Sequence, residues 1–164
     1  MVNENFHKIS QEAQMTSRIM AFLHHFAAFT LVGSLLYEHI TFRKELTLVD
    51  ARRIQRMDLL YGISAGFLLV VGLLRVFYFE KGAPYYAHNL FFWIKMAGFA
   101  LAALLSVYPT IRFVSWNKFF AKNQVPELSE QEVTRIKMIM RIELLAIVII
   151  LFSAAMMARG VGMI

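Results

Sequence analysis

The stretch "IMAFLHHFAAFTLVGSLLYEHI", Ile19 to Ile40, has the length of about 20 residues that a roughly 30 Å hydrocarbon core requires of a helix. Two adjacent histidines, His24 and His25, stand near its start, where lipid makes polar groups costly. Three further apolar runs of similar length follow, Leu59–Phe79, Leu90–Ile111 and Met138–Ala158. Barrel strands are about ten residues long and alternate in polarity, so these uninterrupted runs read as helices. The expectation is an all-α, integral membrane four-helix bundle, a single membrane domain spanning residues 1–164.

Composition agrees. Hydrophobic residues make up 59% of the 164-residue chain, against roughly 45–50% in soluble domains, and mean hydropathy is +0.55. The first run is expected to be retained rather than cleaved as a signal peptide. A polar stretch containing Asn3, Glu4, His7, Lys8 and Glu12 precedes it, and it is too long for a signal core. There is no cysteine, which excludes disulfides, thiolate metal sites, covalently attached haem and cysteine-held iron–sulfur clusters.

The net charge of +6 lies mainly in two connectors. Arg43, Lys44, Arg52, Arg53 and Arg56 fall between the first and second runs, and Arg112, Lys118, Lys122, Arg135 and Lys137 between the third and fourth. The positive-inside rule makes these the cytoplasmic loops and puts both termini on the outer, periplasmic side of a bacterial inner membrane. That distribution accounts for the charge without a nucleic-acid partner.

Local signals punctuate the runs. Asp50 is a candidate N-cap for the second helix, and "EKGAPYYAHN" (80–89) reads as a tight hairpin. Ser129 with Glu132 reads as a capping box, and Pro109 should end or kink the third helix. Gly62 with Gly66, and Gly98 with Ala102 and Ser106, form small-residue stripes suited to close helix approach or to a homo-oligomer.

Polar residues fall into two layers. The inner one holds Glu38, His39, Asp58, Tyr61, Tyr108, Arg112, Arg141 and Glu143. It is expected to pair off and lock the bundle, with Arg141, Arg112 or Arg53 neutralising Glu143; a proton relay is the less favoured alternative. The outer layer holds His24, His25, Arg75, Lys81, Tyr85, Tyr86, His88, Asn89, Trp93 and Lys95. His24 and Lys95 each lie five residues inside their runs, roughly 8 Å deep at 1.5 Å per residue. Both runs point the same way, so the two side chains share a depth. A neutral lysine amine is a ligand or a base, and Gly98 leaves room beside Lys95 for something flat. Histidine and lysine on opposite helices can hold haem iron from both sides. Imidazole also suits copper, but most of the ten methionines are scattered without a metal-binding spacing. His25 points about 100° away from His24 around the helix, as a supporting group or a rival ligand. Arg75, Tyr85, Tyr86 and His88, with Lys81, would form a polar mouth for carboxylates.

"FLHHFAAFTLVGSLLY", "ARRIQRMDLLYGISAGFLLVVGLL" and "FFWIKMAGFALAALL" together resemble HemJ, the bacterial four-helix protoporphyrinogen oxidase family. The chain is also similar, more distantly, to CopD-type copper-resistance membrane proteins, and as a whole it looks closer to an uncharacterised bacterial four-span family. The HemJ resemblance implies haem b held by His24 and Lys95, with oxidation of a porphyrin precursor and electrons passed to quinone. In place of the family's Trp-x-His-x-Lys stands "FFWIK". Two alternatives come from other classes, a copper or small-molecule transporter and a structural or assembly subunit.

Overall fold

The computed structural model describes the backbone of residues 2–164 and the side chains from residue 11 onward. Asn3, Glu4, His7 and Lys8, read above as a polar leader, lie outside the described side chains. The chain is all-helical: α1 Val2–Thr41, α2 Leu48–Leu74, a π-helical turn Arg75–Phe79, α3 Ala83–Ala87, α4 Leu90–Ser115, α5 Asn117–Phe120 and α6 Glu130–Ala158. No strand forms among the described residues, apart from one isolated bridge between Asn89 and Met163. Four helical stretches, Gln11–Thr41, Leu48–Phe79, Leu90–Phe120 and Glu130–Ala158, are long and apolar enough to cross a membrane.

Packing arranges these in two pairs. α1 lies along α2 and α4 along α6, while α1 also meets α6 and α2 meets α4. α1 and α4 therefore face each other across the bundle. Phe22, Phe26, Phe29, Leu104 and Val148 are exposed, as apolar side chains turned to lipid should be. The densest packing lies at the end carrying the basic connectors. There Phe42, Phe113 and Trp116 are essentially inaccessible, with ring centroids 4.7 Å apart for Phe113 and Trp116 and 5.7 Å for Phe42 and Phe113. Ile54, Ile136 and Met140 pack with them.

Several local expectations change. Thr47, not Asp50, caps α2, its hydroxyl accepting from the Asp50 amide at 3.1 Å; Asp50 instead takes a bond from Arg43 at 2.9 Å. Ser129 does cap α6, but the Glu132 carboxylate accepts from Arg112 at 2.6 Å rather than turning back. Pro109 sits within α4, which continues to Ser115. The 80–89 connector carries the short helix α3. Gly62 and Gly66 face outward, with nothing near an added Cβ. Gly98 leaves no gap: an added Cβ would stand 3.1 Å from Ile150, so this glycine brings α4 close to α6. The inner acids do not pair with arginine. Among the described residues the ion pairs at that end are Arg43–Asp50, Lys44–Glu130 and Arg112–Glu132, and Glu143 is buried without a cation partner among them.

At the opposite end the segment after α6 folds back onto α4. The amide of Leu90 donates to Gly162 O at 2.8 Å and that of Ile164 to His88 O at 2.8 Å. Asn89, fully buried, caps α4 through its Oδ1, which accepts from the amides of Phe91 and Phe92, and donates through Nδ2 to Val161 O at 3.0 Å. One side chain thus starts α4 and fastens the end of α6 to it. Gly162 has φ of +88°, and a Cβ there would meet Phe91 at 2.6 Å. Gly162→Ala should therefore destabilise the protein by about 1–3 kcal/mol, read as a lower Tm in detergent. Gly33→Ala, in open space, should leave Tm unchanged or raise it, since glycine within a helix costs about 0.5–1 kcal/mol relative to alanine.

Candidate functional site: a polar cavity among four helices

The cavity lies at the end joined by α3. His24 of α1, Gly72 of α2, Arg75 and Val76 of the π-turn, Glu80, Tyr86 of α3, Lys95 of α4 and Met157 of α6 line a space of about 70 Å³. Each arrives there for a local reason. His24 rests on α2 where Gly72 has no side chain; a Cβ at that position would stand 3.2 Å from His24 Cε1. The π-turn shifts the register at the end of α2, a distortion often found at functional sites, and places Arg75 and Val76 on the cavity. Gly82, at φ +85°, then turns the chain into α3, whose Tyr86 comes back to Glu80. Asn89 fixes the start of α4, setting Lys95 more than a turn inside it.

Arg75 Nη2 donates to Glu80 Oε1, and the Tyr86 hydroxyl donates to Glu80 Oε2 at 3.4 Å. Glu80 is the single carboxylate of a wall that also holds Arg75, Lys95 and His24. Its pairing with Arg75 leaves the two nitrogen side chains without a counter-ion. His24 Nδ1 is buried with no hydrogen-bond partner, and Lys95 takes part in no hydrogen bond or ion pair among the described residues. A buried, unsatisfied nitrogen costs about 1–3 kcal/mol, and such groups are characteristic of binding sites.

Of the residues singled out in the sequence, His24, Arg75, Tyr86 and Lys95 meet on this cavity. His25 does not: its ring bonds to Ala21 O at 2.6 Å and is exposed. Tyr85 turns to Lys81, which donates to its hydroxyl at 3.1 Å and lies over its ring. His88 bonds through Nδ1 to Pro84 O at 2.8 Å, closing α3. Of the polar mouth expected above, Arg75 and Tyr86 line this cavity, while Lys81, Tyr85 and His88 do not; His25, the rival ligand, does not line it either. Gly72, Glu80 and Met157 were not anticipated. Opposite charges at Arg75 and Glu80 bracketing a helix end were the readable hint for Glu80; for Met157 only its place near the end of the last span was available.

Fold and cavity define a multi-pass helical membrane protein with a small polar site at one end of its bundle. Residues 16–162 match the family described as "Predicted membrane protein (DUF2214)", and the chain belongs to that family. No curated protein and no solved structure matches it. The family match thus supports an uncharacterised membrane family, and none of these comparisons shows a resemblance to HemJ or to CopD-type proteins.

Tyr86 lies outside the spans, and its phenol is pushed up to about 12 by burial and by the Glu80 carboxylate that it contacts. A phenol that the fold keeps protonated contributes stability that is complete below its ordinary value of 10.0 and is lost as pH rises towards about 12. Subtracting the tyrosinate absorbance titration of Tyr86→Phe from that of the native protein should leave a step near pH 12. A step at the ordinary tyrosine value would contradict this contact.

Proposed function

We propose that the protein is a haem-b-binding membrane oxidoreductase or electron carrier, with His24 and Lys95 as the axial ligands. The observation that supports this is the meeting of an imidazole and an amine, both without polar partners, across the bundle from α1 to α4. Imidazole nitrogen is an ordinary haem ligand, and a neutral Lys95 amine would supply a second nitrogen donor to the iron. The donor set fits, and so does the cradle at Gly72, which holds the imidazole against α2. The cavity of about 70 Å³, partly open to its surroundings, is smaller than the roughly 300–1,000 Å³ common for small-molecule pockets. Admitting a macrocycle therefore requires the α1–α2 and α4–α6 pairs to part along their seam, where they touch least.

Bound haem would supply one-electron transfer. The chain's own residues hold and shield it: His24 is oriented by Gly72, and Arg75 and Tyr86 offer donors to carboxylates once Glu80 releases them. Porphyrinogen oxidation with electrons passed to quinone, as in HemJ, is the finer reading under this proposal. By the positive-inside rule, the basic connectors at the far end support a reading in which the cavity and both termini face the outer side of a bacterial inner membrane. Copper handling is the second reading, favoured by the small volume and by Met157 lining the same cavity as His24. Against it, no group of three or more His, Cys, Asp or Glu side chains able to hold a metal is found among the described residues, and Arg75 sits on the wall.

Oxidised and reduced absorbance spectra of protein purified from haem-replete cells test the proposal. Native protein should show a Soret band. His24→Ala should reduce haem occupancy by more than the roughly 10–100-fold that losing a supporting residue costs a metal site, Lys95→Ala should change the axial ligation, and His25→Ala should keep the band. Native protein without a Soret band would refute the proposal, and copper recovered in its place would favour the second reading.

A further inference from the structure

The inner layer behaves differently from a salt-bridged lock. Glu38 of α1, Asp58 of α2 and Glu143 of α6 retain 2%, 6% and 2% of their accessible surface. Tyr61 of α2 places its hydroxyl 3.5 Å from Glu143 Oε1, and Thr110 of α4 donates to Asp58 Oδ1 at 2.8 Å. Glu38 Oε1 is buried with no hydrogen-bond partner. All four long helices contribute a group, and no cation does. Arg112 of α4 is held by Glu132. Arg141 of α6 is exposed and makes no ion pair among the described residues.

This layer also has a fixed relation to the cavity. On α1, His24 and Glu38 are 14 residues apart; on α2, Asp58 and Gly72 are 14 apart; on α6, Glu143 and Met157 are 14 apart; on α4, Lys95 and Thr110 are 15 apart. Four helical turns are close to 14.4 residues, so each helix shows the same face at both levels, about 21 Å apart. The acidic layer is thus a second inward-facing level of the bundle, independent of what the cavity binds.

Three buried carboxylates without a counter-charge cannot all be ionised, because even one unpaired charge taken out of water costs several kcal/mol. A calcium or magnesium ion would require six or more oxygen ligands, and the acids are not arranged to hold a metal. A proton needs one oxygen, and Glu38 Oε1 offers one without a partner. We propose that Glu38, Asp58 and Glu143 form an intramembrane proton-binding site that exchanges protons with water at the end carrying the basic connectors. Uptake turns one carboxylate into a carboxylic acid and release reverses it, with no other bond changed. Glu38 lies three residues before the end of α1, whereas Asp58 and Glu143 lie ten and thirteen residues inside α2 and α6, so Glu38 is the acid nearest that end along its own helix. The Phe42, Phe113 and Trp116 rings pack together at that same end.

Infrared spectroscopy of the full chain in lipid nanodiscs provides the test. At neutral pH the native protein should show the C=O stretch of protonated carboxyl groups, and transfer to D₂O should shift it. Glu38→Gln, Asp58→Asn and Glu143→Gln should each remove part of its intensity, whereas Glu127→Gln, in the exposed connector, should leave it unchanged. No such band at neutral pH, a band that does not shift in D₂O, or one untouched by all three substitutions would overturn the proposal. The native-protein measurement in D₂O decides the exchange even if a substituted chain fails to fold.

Discussion

The cost of holding a polar side chain in hydrocarbon governs this structure. Water is absent from the bilayer core, so every such group must bond within its own helix, turn to a partner across the bundle, or face something that binds there. The hydroxyls of Thr30 and Ser34 take the first course, donating to carbonyls four residues back. Asp58 takes the second, through Thr110. His24, Lys95 and Glu38 follow neither course within the described protein, and they mark the two levels at which the bundle is polar inside.

Stability is distributed to suit. The aromatic group of Phe42, Phe113 and Trp116 makes one end dense, and ion pairs among the connectors surround it. The other end is held by backbone: Asn89 and the turn through Gly162 tie α6 to α4, while Gly72 lets α1 settle on α2. Between the two helix pairs the contacts are fewest, and the cavity is lined from both pairs. A bundle tight within each pair and looser between them can admit a ligand without losing either pair.

Much of the architecture was legible in the apolar run lengths. Lipid imposes a length and forbids unpaired backbone, so four runs meant four helices. Depth was legible too: counting residues from the start of each run placed His24 and Lys95 at one level, where both line the cavity. Rotation about the helix was harder. His25, Tyr85 and His88 lie toward that end of the bundle yet satisfy themselves locally, and a sequence does not show that Lys81 will cover Tyr85 or that Pro84 O will take the His88 ring. The π-turn at Arg75 and the return of Glu80 depend on how α2 ends against its neighbours, which is a tertiary matter. Expecting arginine beside Glu143 failed for the same reason. Arg112 follows Thr110 closely in sequence, but its guanidinium leaves the core for Glu132 at the start of α6.

The account rests on His24 and Lys95 facing one another across the bundle. The chain has no cysteine, so a pair introduced as His24→Cys and Lys95→Cys is unambiguous. Treating this variant in membranes with a short bifunctional thiol reagent, and separating intramolecular products by mass, measures that proximity directly. Efficient cross-linking within one chain, with little from the His25→Cys and Lys95→Cys pair, is the expected result. Equal cross-linking of both pairs, or none for the first, would contradict the account.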